Sequence, residues 1–467
     1  MTAETGWLPD LLYRNGRFES GVAMFAGADG RITRFSSDPA ELASARRLTR
    51  RVLLPGLVNV HSHSFQRAIR GRTESRTSSS GDSFWTWREA MYHAAGLLSP
   101  TDIYDVARMT FLEAAASGNT AIGEFHYLHH AADGTRYEDP NEIALAVIRA
   151  AREIGMRIEL QRTAYVRSGW NREPNPRQAR FITRRVEDFI ANTESLRAAA
   201  SRDPEGAVTV GIAPHSVRAV PLDYLTAIVG YARSSGIKIH MHVSEQPAEL
   251  DACVAEYGLP PVEFLDRHGL LDADFTGVHA THISNGEAAA LARAGSFICA
   301  CPTTERNLGD GIGDAALWAS CGIPVCLGSD SNVQIDLLED ARELEYHMRL
   351  QRLERAVLAP DLDTGSLARQ LFRSATSAGA ASIGTPSGRL DEGLAADFFT
   401  IHLDDLAVAG ADPASLLSHI VFSASRASIR DVAVNGQLIL EDGHHRLEEE
   451  VIRRFAAVQR KLWGAAV

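Results

Sequence analysis

The sequence predicts an α/β fold: a (β/α)8 TIM-type barrel with a small β domain built from both termini. Two observations carry this reading. Through the middle of the chain, eight short apolar runs alternate with longer helical patterns, the number that such a barrel requires. The two ends read differently, as short alternating segments broken by turns.

The eight runs are residues 57–60, 120–123, 157–160, 208–212, 238–241, 275–278, 297–300 and 324–327. One intervening helix can be read closely. Ser99-Pro100-Thr101-Asp102 is a cap, with proline at the first helical position and an acid three residues after the cap. Ile103, Val106, Ala107, Thr110 and Phe111 follow at helical spacing, and Gly118 is the expected stop. At the ends, residues 11–54 and 386–442 read as strands and turns. Examples are Gly388-Arg389-Leu390 and the run from Val432 to Leu440, which contains the hairpin signal Asn435-Gly436. We assign residues 1–54 with 386–445 to the β domain, 55–385 to the barrel and 446–467 to a C-terminal helix.

The 467 residues are 45% hydrophobic and 23% charged, which excludes a disordered chain, a collagen and a disulfide-stapled miniprotein. The formal net charge is −12, the wrong sign for a general nucleic-acid binder. No apolar run reaches the roughly 18 residues of a membrane span. The start, Met1-Thr2-Ala3-Glu4-Thr5, has neither the basic nor the apolar region of a secretory signal. Cys253, Cys299, Cys301, Cys321 and Cys326 read as buried free thiols. Together these features point to a cytoplasmic protein. The single low-complexity tract is Ser78-Ser79-Ser80, and the only lysines are Lys238 and Lys461.

Barrel active sites lie at the carboxyl ends of the strands. The first strand ends in His61-Ser62-His63, where alternation puts both imidazoles on one face. The fifth ends in His242-Val243-Ser244-Glu245, the sixth in His279-Ala280-Thr281-His282 and the eighth in Gly328-Ser329-Asp330-Ser331. A lone histidine on an apolar strand is more often a packed core residue. Four histidines and an aspartate at four strand exits are much harder to obtain by chance. Neutral imidazole and carboxylate suit zinc or iron. Three imidazoles with one carboxylate leave room for a water, as in a catalytic site. The metal ligands are read as His61, His63, His242 and Asp330.

Beginning with Pro55-Gly56-Leu57-Val58-Asn59-Val60-His61-Ser62-His63 and continuing through His242, His279 and Asp330, the pattern resembles the amidohydrolase superfamily across nearly the whole chain. Within it, the chain resembles the formimidoylglutamate deiminase family. The segments carrying that closer likeness are His61 to Ala68, Asp82 to Glu89, Gly123 to Tyr127, His242 to Gln246 and Cys301 to Gly311.

The resemblance implies hydrolytic deimination of N-formimino-L-glutamate in histidine degradation, with one Zn2+ per chain; Fe2+ is also chemically acceptable. It makes Glu245 the proton shuttle and places His279 and Asp330 beside the metal's water. His279 is preferred to His282 because it leaves the strand first. Arg88 and Arg218 are implied to meet the substrate carboxylates, since a planar guanidinium suits a carboxylate bidentately. Gln66, Tyr127 and His215 are carried over as hydrogen-bonding partners. Trp85 and Trp87 read as packing residues. A mononuclear site is expected, because the fourth strand ends in Ala213-Pro214-His215 and lacks the bridging lysine of binuclear relatives. The expected assembly is a homodimer. Two other readings stay open: a deaminase of a purine or other ring, and a catalytically silent binding scaffold, which should have lost its metal ligands.

Overall fold

Eight parallel strands build one sheet in the computed structural model, which describes residues 4–76, 83–203 and 206–464. Ser78–Ser80 and Asp82, named above, lie outside the described residues. The strands are β1 (Leu57–Ser62), β2 (Asn119–His126), β3 (Arg157–Ala164) and β4 (Val208–Pro214), then β5 (Ile239–Val243), β6 (Phe275–His279), β7 (Phe297–Ala300) and β8 (Val325–Leu327). Each pairs in parallel with its neighbour in the chain. All eight apolar runs are therefore strands. Helices cover the outer face, so most strand residues are buried, polar ones such as Asn59, Glu124, Glu159, Gln161 and Arg162 included.

The ring closes where β8 runs out. A bridge joins Ser62 to Asp330, with the Asp330 amide donating to His61 O at 2.9 Å and the His63 amide to Asp330 O at 2.9 Å. Gly328 makes this approach possible, because a Cβ there would lie 2.7 Å from His61 Cβ.

The helix read from its cap spans Pro100–Ala116. Ser99 Oγ accepts from the Asp102 amide, the Asp102 carboxylate accepts from the Ser99 amide, and Gly118 follows at φ 84°. Ile103, Val106, Ala107, Thr110 and Phe111 are all buried.

The second sheet joins the two ends of the chain. Its order is Gln437–Leu440, Ile429–Val434, Phe398–His402, Arg46–Pro55, Thr5–Arg14, Ala23–Ala26 and Ile32–Ser36, with Arg17–Glu19 pairing on Thr5–Arg14. The seam lies between Arg46–Pro55 and Phe398–His402, which run antiparallel. At Asn435-Gly436 the chain turns with φ of 50° and 69°, and Val434 pairs with Gln437, as the hairpin signal requires.

Residues 386–442 are not all strand and turn. A helix, Leu416–Ser423, occupies the middle, burying Leu416, Leu417, Ile420 and Val421 at helical spacing. Period-two alternation would have put half of these side chains into solvent. Gly388-Arg389-Leu390 lies in an irregular connection, with Gly388 at φ 76°. A C-terminal helix, Glu448–Trp463, packs on Pro100–Ala116. Among the described residues, all five cysteines are free and no helix is long and apolar enough to cross a membrane.

Candidate active site

The four side chains read as metal ligands meet at the carboxyl end of the barrel. His61, His63, His242 and Asp330 are all buried, and one donor atom from each lies within 4.8 Å of every other. His61 and His63 come from the end of β1, His242 from β5, and Asp330 from just beyond β8. His61 Nε2 and His63 Nε2 each lie 3.1 Å from Asp330 Oδ1. His242 Nε2 lies 3.1 Å from His61 Nε2 and 3.4 Å from His63 Nε2.

Backbone carbonyls set the tautomers of two rings. His63 Nδ1–H donates to Phe125 O at 2.9 Å, and His242 Nδ1–H donates to His215 O at 3.1 Å. A carbonyl can only accept, so each neutral ring keeps its Nε2 as a bare lone pair. Lone pairs facing one another this closely repel unless a cation sits between them. A tetrahedral zinc ion with bonds of about 2.0–2.1 Å would space its ligand atoms ~3.3 Å apart. The observed separations fit that donor set. Burial holds His61 down to about 4, and burial with the neighbouring rings holds His242 well below the usual histidine range. Both rings therefore stay neutral. Burial would raise Asp330, but hydrogen bonds with His61 and His63 outweigh it and hold the carboxyl well below its usual range.

Two further side chains face this cluster. His279 Nε2 lies 3.7 Å from Glu245 Oε1 and 3.8 Å from Asp330 Oδ2. Its other nitrogen, Nδ1, meets Glu305 Oε1 at 3.2 Å, and the same oxygen accepts from the Cys301 amide at 2.8 Å. Burial alone would lower His279. The carboxylates of Glu245, Glu305 and Asp330 overcome it and raise the ring to about 10. Burial raises Glu245. His282 Nε2 instead meets the backbone carbonyl oxygen of Asp310 at 2.7 Å.

The backbone is strained at this rim. Ser244, His279, Ala280 and Asp330 have φ of 53°, 71°, 50° and 44°, in the left-handed region that non-glycine residues seldom enter. The strain lets the chain leave β5, β6 and β8 while the side chains still point inward.

A pocket opens beside the cluster. Gln66, Arg88, Tyr127, His215, Arg218 and Glu245 all line it, together with His63, His242 and Asp330. Gln66 Nε2 donates to Tyr127 Oη at 2.9 Å, and the buried Gln66 Oε1 has no protein partner. Arg88 lies 4.4 Å above the Trp85 ring and 5.5 Å from the Tyr92 ring. Arg218 Nη1 reaches Ser168 O at 3.4 Å. Among the described residues, neither guanidinium forms an ion pair with a protein carboxylate. Trp87 reaches the pocket wall, whereas Trp85 is 37% exposed.

Sequence reasoning missed part of this wall. Tyr92, Tyr165, Phe181 and Met91 also line the pocket, and Glu305 backs His279. Tyr92 comes from the connection after β1, Tyr165 and Phe181 from the one after β3, and they carry no spacing that links them. Glu305 stood within Cys301 to Gly311, but only its contact with His279 distinguishes it from the other buried acids.

The chain matches the amidohydrolase family over residues 52–439. It is 36% identical to the formimidoylglutamate deiminase of Pseudomonas aeruginosa over 460 residues, 98% of this chain and 98% of that one. It is 29% identical to the 8-oxoguanine deaminase of the same organism over 423 residues, 89% of each. A crystal structure of an amidohydrolase from Brucella melitensis superposes with a TM-score of 0.90 at 34% identity, covering 98% of this chain and 99% of that one. The matched span holds every barrel strand and all four convergent ligands, and the chain belongs to the amidohydrolase family.

Proposed function

We propose that this protein hydrolyses N-formimino-L-glutamate to N-formyl-L-glutamate and ammonia, a step of histidine degradation. One Zn2+ is held by His61, His63, His242 and Asp330. The observation that carries the substrate assignment is the pair Arg88 and Arg218 in the pocket wall, two guanidiniums that form no ion pair with a protein carboxylate among the described residues. The substrate has two carboxylates and one cationic formimino head. The likeness to the Pseudomonas enzyme supports the same reading.

When bound, the metal supplies Lewis acidity, which moves the pKa of a water from about 15.7 towards 7. The protein's own groups do the rest. Arg88 and Arg218 take the carboxylates, and Gln66, Tyr127 and His215 add hydrogen bonds. This fixes the formimino carbon beside Asp330, His279 and Glu245. Asp330 orients the water and takes up its proton as its oxygen bonds to the imino carbon, while His279, kept charged by its carboxylate neighbours, donates a hydrogen bond from Nε2 to that oxygen. Glu305 keeps the proton on His279 Nδ1, so that Nε2 faces the reacting atoms. Glu245 delivers a proton to the departing nitrogen. The carbon–nitrogen bond breaks, ammonia leaves, and a formyl group remains on the glutamate nitrogen. Burial favours the protonated form of Glu245, which suits a group that must give up a proton.

A second reading is favoured by the aromatic wall. Tyr92, Tyr127, Tyr165 and Phe181 would suit a flat ring, and the 8-oxoguanine deaminase relative acts on one. Ammonia release from N-formimino-L-glutamate, measured against guanine, 8-oxoguanine and adenosine, separates the two. Turnover of a ring with none of the linear amidine would reverse the assignment.

A further inference from the structure

Gln178 sits in a short turn, Pro176–Gln178, and is 1% exposed. Its Nε2 donates to Tyr92 Oη at 2.7 Å and to Tyr165 Oη at 2.7 Å. One amide group therefore ties the helix Phe84–Leu97, which carries Tyr92, to the segment just beyond β3, which carries Tyr165. The tyrosines are 4% and 2% exposed, and both line the pocket. Phe181 packs against both rings, at centroid distances of 5.7 and 5.9 Å. Tyr165 also packs against His215 at 4.7 Å.

This bracket spans the two guanidiniums of the pocket wall. Arg88 stands over the Tyr92 ring, and the Arg218 guanidinium lies beside Tyr165. A phenol oxygen that accepts from an amide still has its own proton to give. Among the described residues, no protein acceptor takes either hydroxyl proton. A hydroxyl donor left unused in a buried site costs free energy, so a ligand oxygen is the natural acceptor.

We infer that Tyr92 and Tyr165, pinned by Gln178, are specificity-determining donors to the substrate's carboxylates. The inference rests on the formimino-glutamate reading and extends it. The guanidiniums supply charge on flexible stems. The phenols supply neutral donors on a rigid frame, which fixes where each carboxylate lies and how far the formimino head reaches. A substrate with one carboxylate, or with its carboxylates differently spaced, would leave one phenol unpaired and pay for it.

The test is the binding of N-formyl-L-glutamate, which does not turn over, to the metal-loaded protein by titration calorimetry. The matched diamide is the control. Tyr92→Phe and Tyr165→Phe each remove one hydroxyl and keep the ring. Each should raise Kd for the dicarboxylate about 10-fold, the lower end for a hydrogen bond to a charged group. The diamide should change much less. Gln178→Met should raise Kd for the dicarboxylate in the same direction with both phenols still present. Melting temperature and metal content report whether each variant is folded, and the phenylalanine variants decide the matter if Gln178→Met is not. If both phenylalanine variants bind the dicarboxylate as tightly as wild type while wild type releases ammonia from N-formimino-L-glutamate, the tyrosine inference alone is overturned. If wild type releases no ammonia from that substrate, the reading of the site falls and this inference falls with it.

Discussion

His61 and Asp330 meet twice. Their backbones close the barrel, the Asp330 amide donating to His61 O at 2.9 Å. Their side chains meet inside it, His61 Nε2 lying 3.1 Å from Asp330 Oδ1. The seam of the fold and the candidate metal centre thus share the same two residues. Anything that shifts β8 against β1 moves a ligand, and a cation at the centre ties the ring shut.

Metal removal should therefore act on both activity and stability. We expect about one tightly held ion per chain, with zinc restoring ammonia release after chelation and the metal-free protein melting at a lower temperature. Neither lysine can bridge a second ion. Lys238 opens the way into β5 at the far end of the barrel, where it pairs with Asp274 at 2.6 Å, and Lys461 pairs with Asp102. Elemental analysis giving two tight ions per chain would overturn the mononuclear reading.

Glu245→Gln keeps the shape of the side chain and loses the proton. It should retain metal and lose about 10²–10⁴ in kcat, the usual range for a general acid–base group. Turnover near that of wild type would remove Glu245 from the mechanism.

Arg88→Met and Arg218→Met should each lower kcat/KM for N-formimino-L-glutamate by about 10- to 150-fold, the worth of a charge-assisted hydrogen bond of roughly 1.5–3 kcal/mol. Metal content should not change, and the neutral diamide of the substrate should lose much less. Wild-type kinetics on the dicarboxylate in both variants would make the arginines bystanders.

Glu159 gives a prediction about stability. It is buried inside the barrel, its Oε2 accepts from Gln161 Nε2 at 2.8 Å, and its Oε1 has no protein partner. Burial raises it from 4.5 to about 8. The folded protein thus keeps this proton up to about pH 8, whereas the unfolded chain loses it above about pH 4.5. The contribution to stability is full below the unfolded value and falls as pH rises through the folded one. Glu159→Gln cannot lose a proton. The melting temperature of this variant relative to wild type should rise between pH 5 and pH 8.5, over the window those two values span. A difference that stays constant across that range would show that Glu159 does not titrate on unfolding.

Much of this protein was legible along the chain. Eight short runs with helical patterns between them were enough for the barrel, because strands alternating with helices build a parallel sheet with helices outside it. His61 and His63 were readable as a pair because strand alternation is local, and Asn435-Gly436 because a turn needs only its own backbone conformation. Local rules did not reach the helix Leu416–Ser423, since short apolar stretches fit either period until their packing partners are known. They could not choose between His279 and His282 beyond the order of leaving the strand. In the fold the Glu305 carboxylate engages His279 and the Asp310 backbone carbonyl engages His282, both from a different connection. Nor could they join Tyr92, Gln178 and Tyr165, which stand 86 and 13 residues apart and meet only over the barrel mouth. Secondary structure and the ligands at strand ends follow from neighbours in sequence. The tautomers, the strained rim and the pocket wall are set by contacts between distant segments, and these exist only once the barrel has closed.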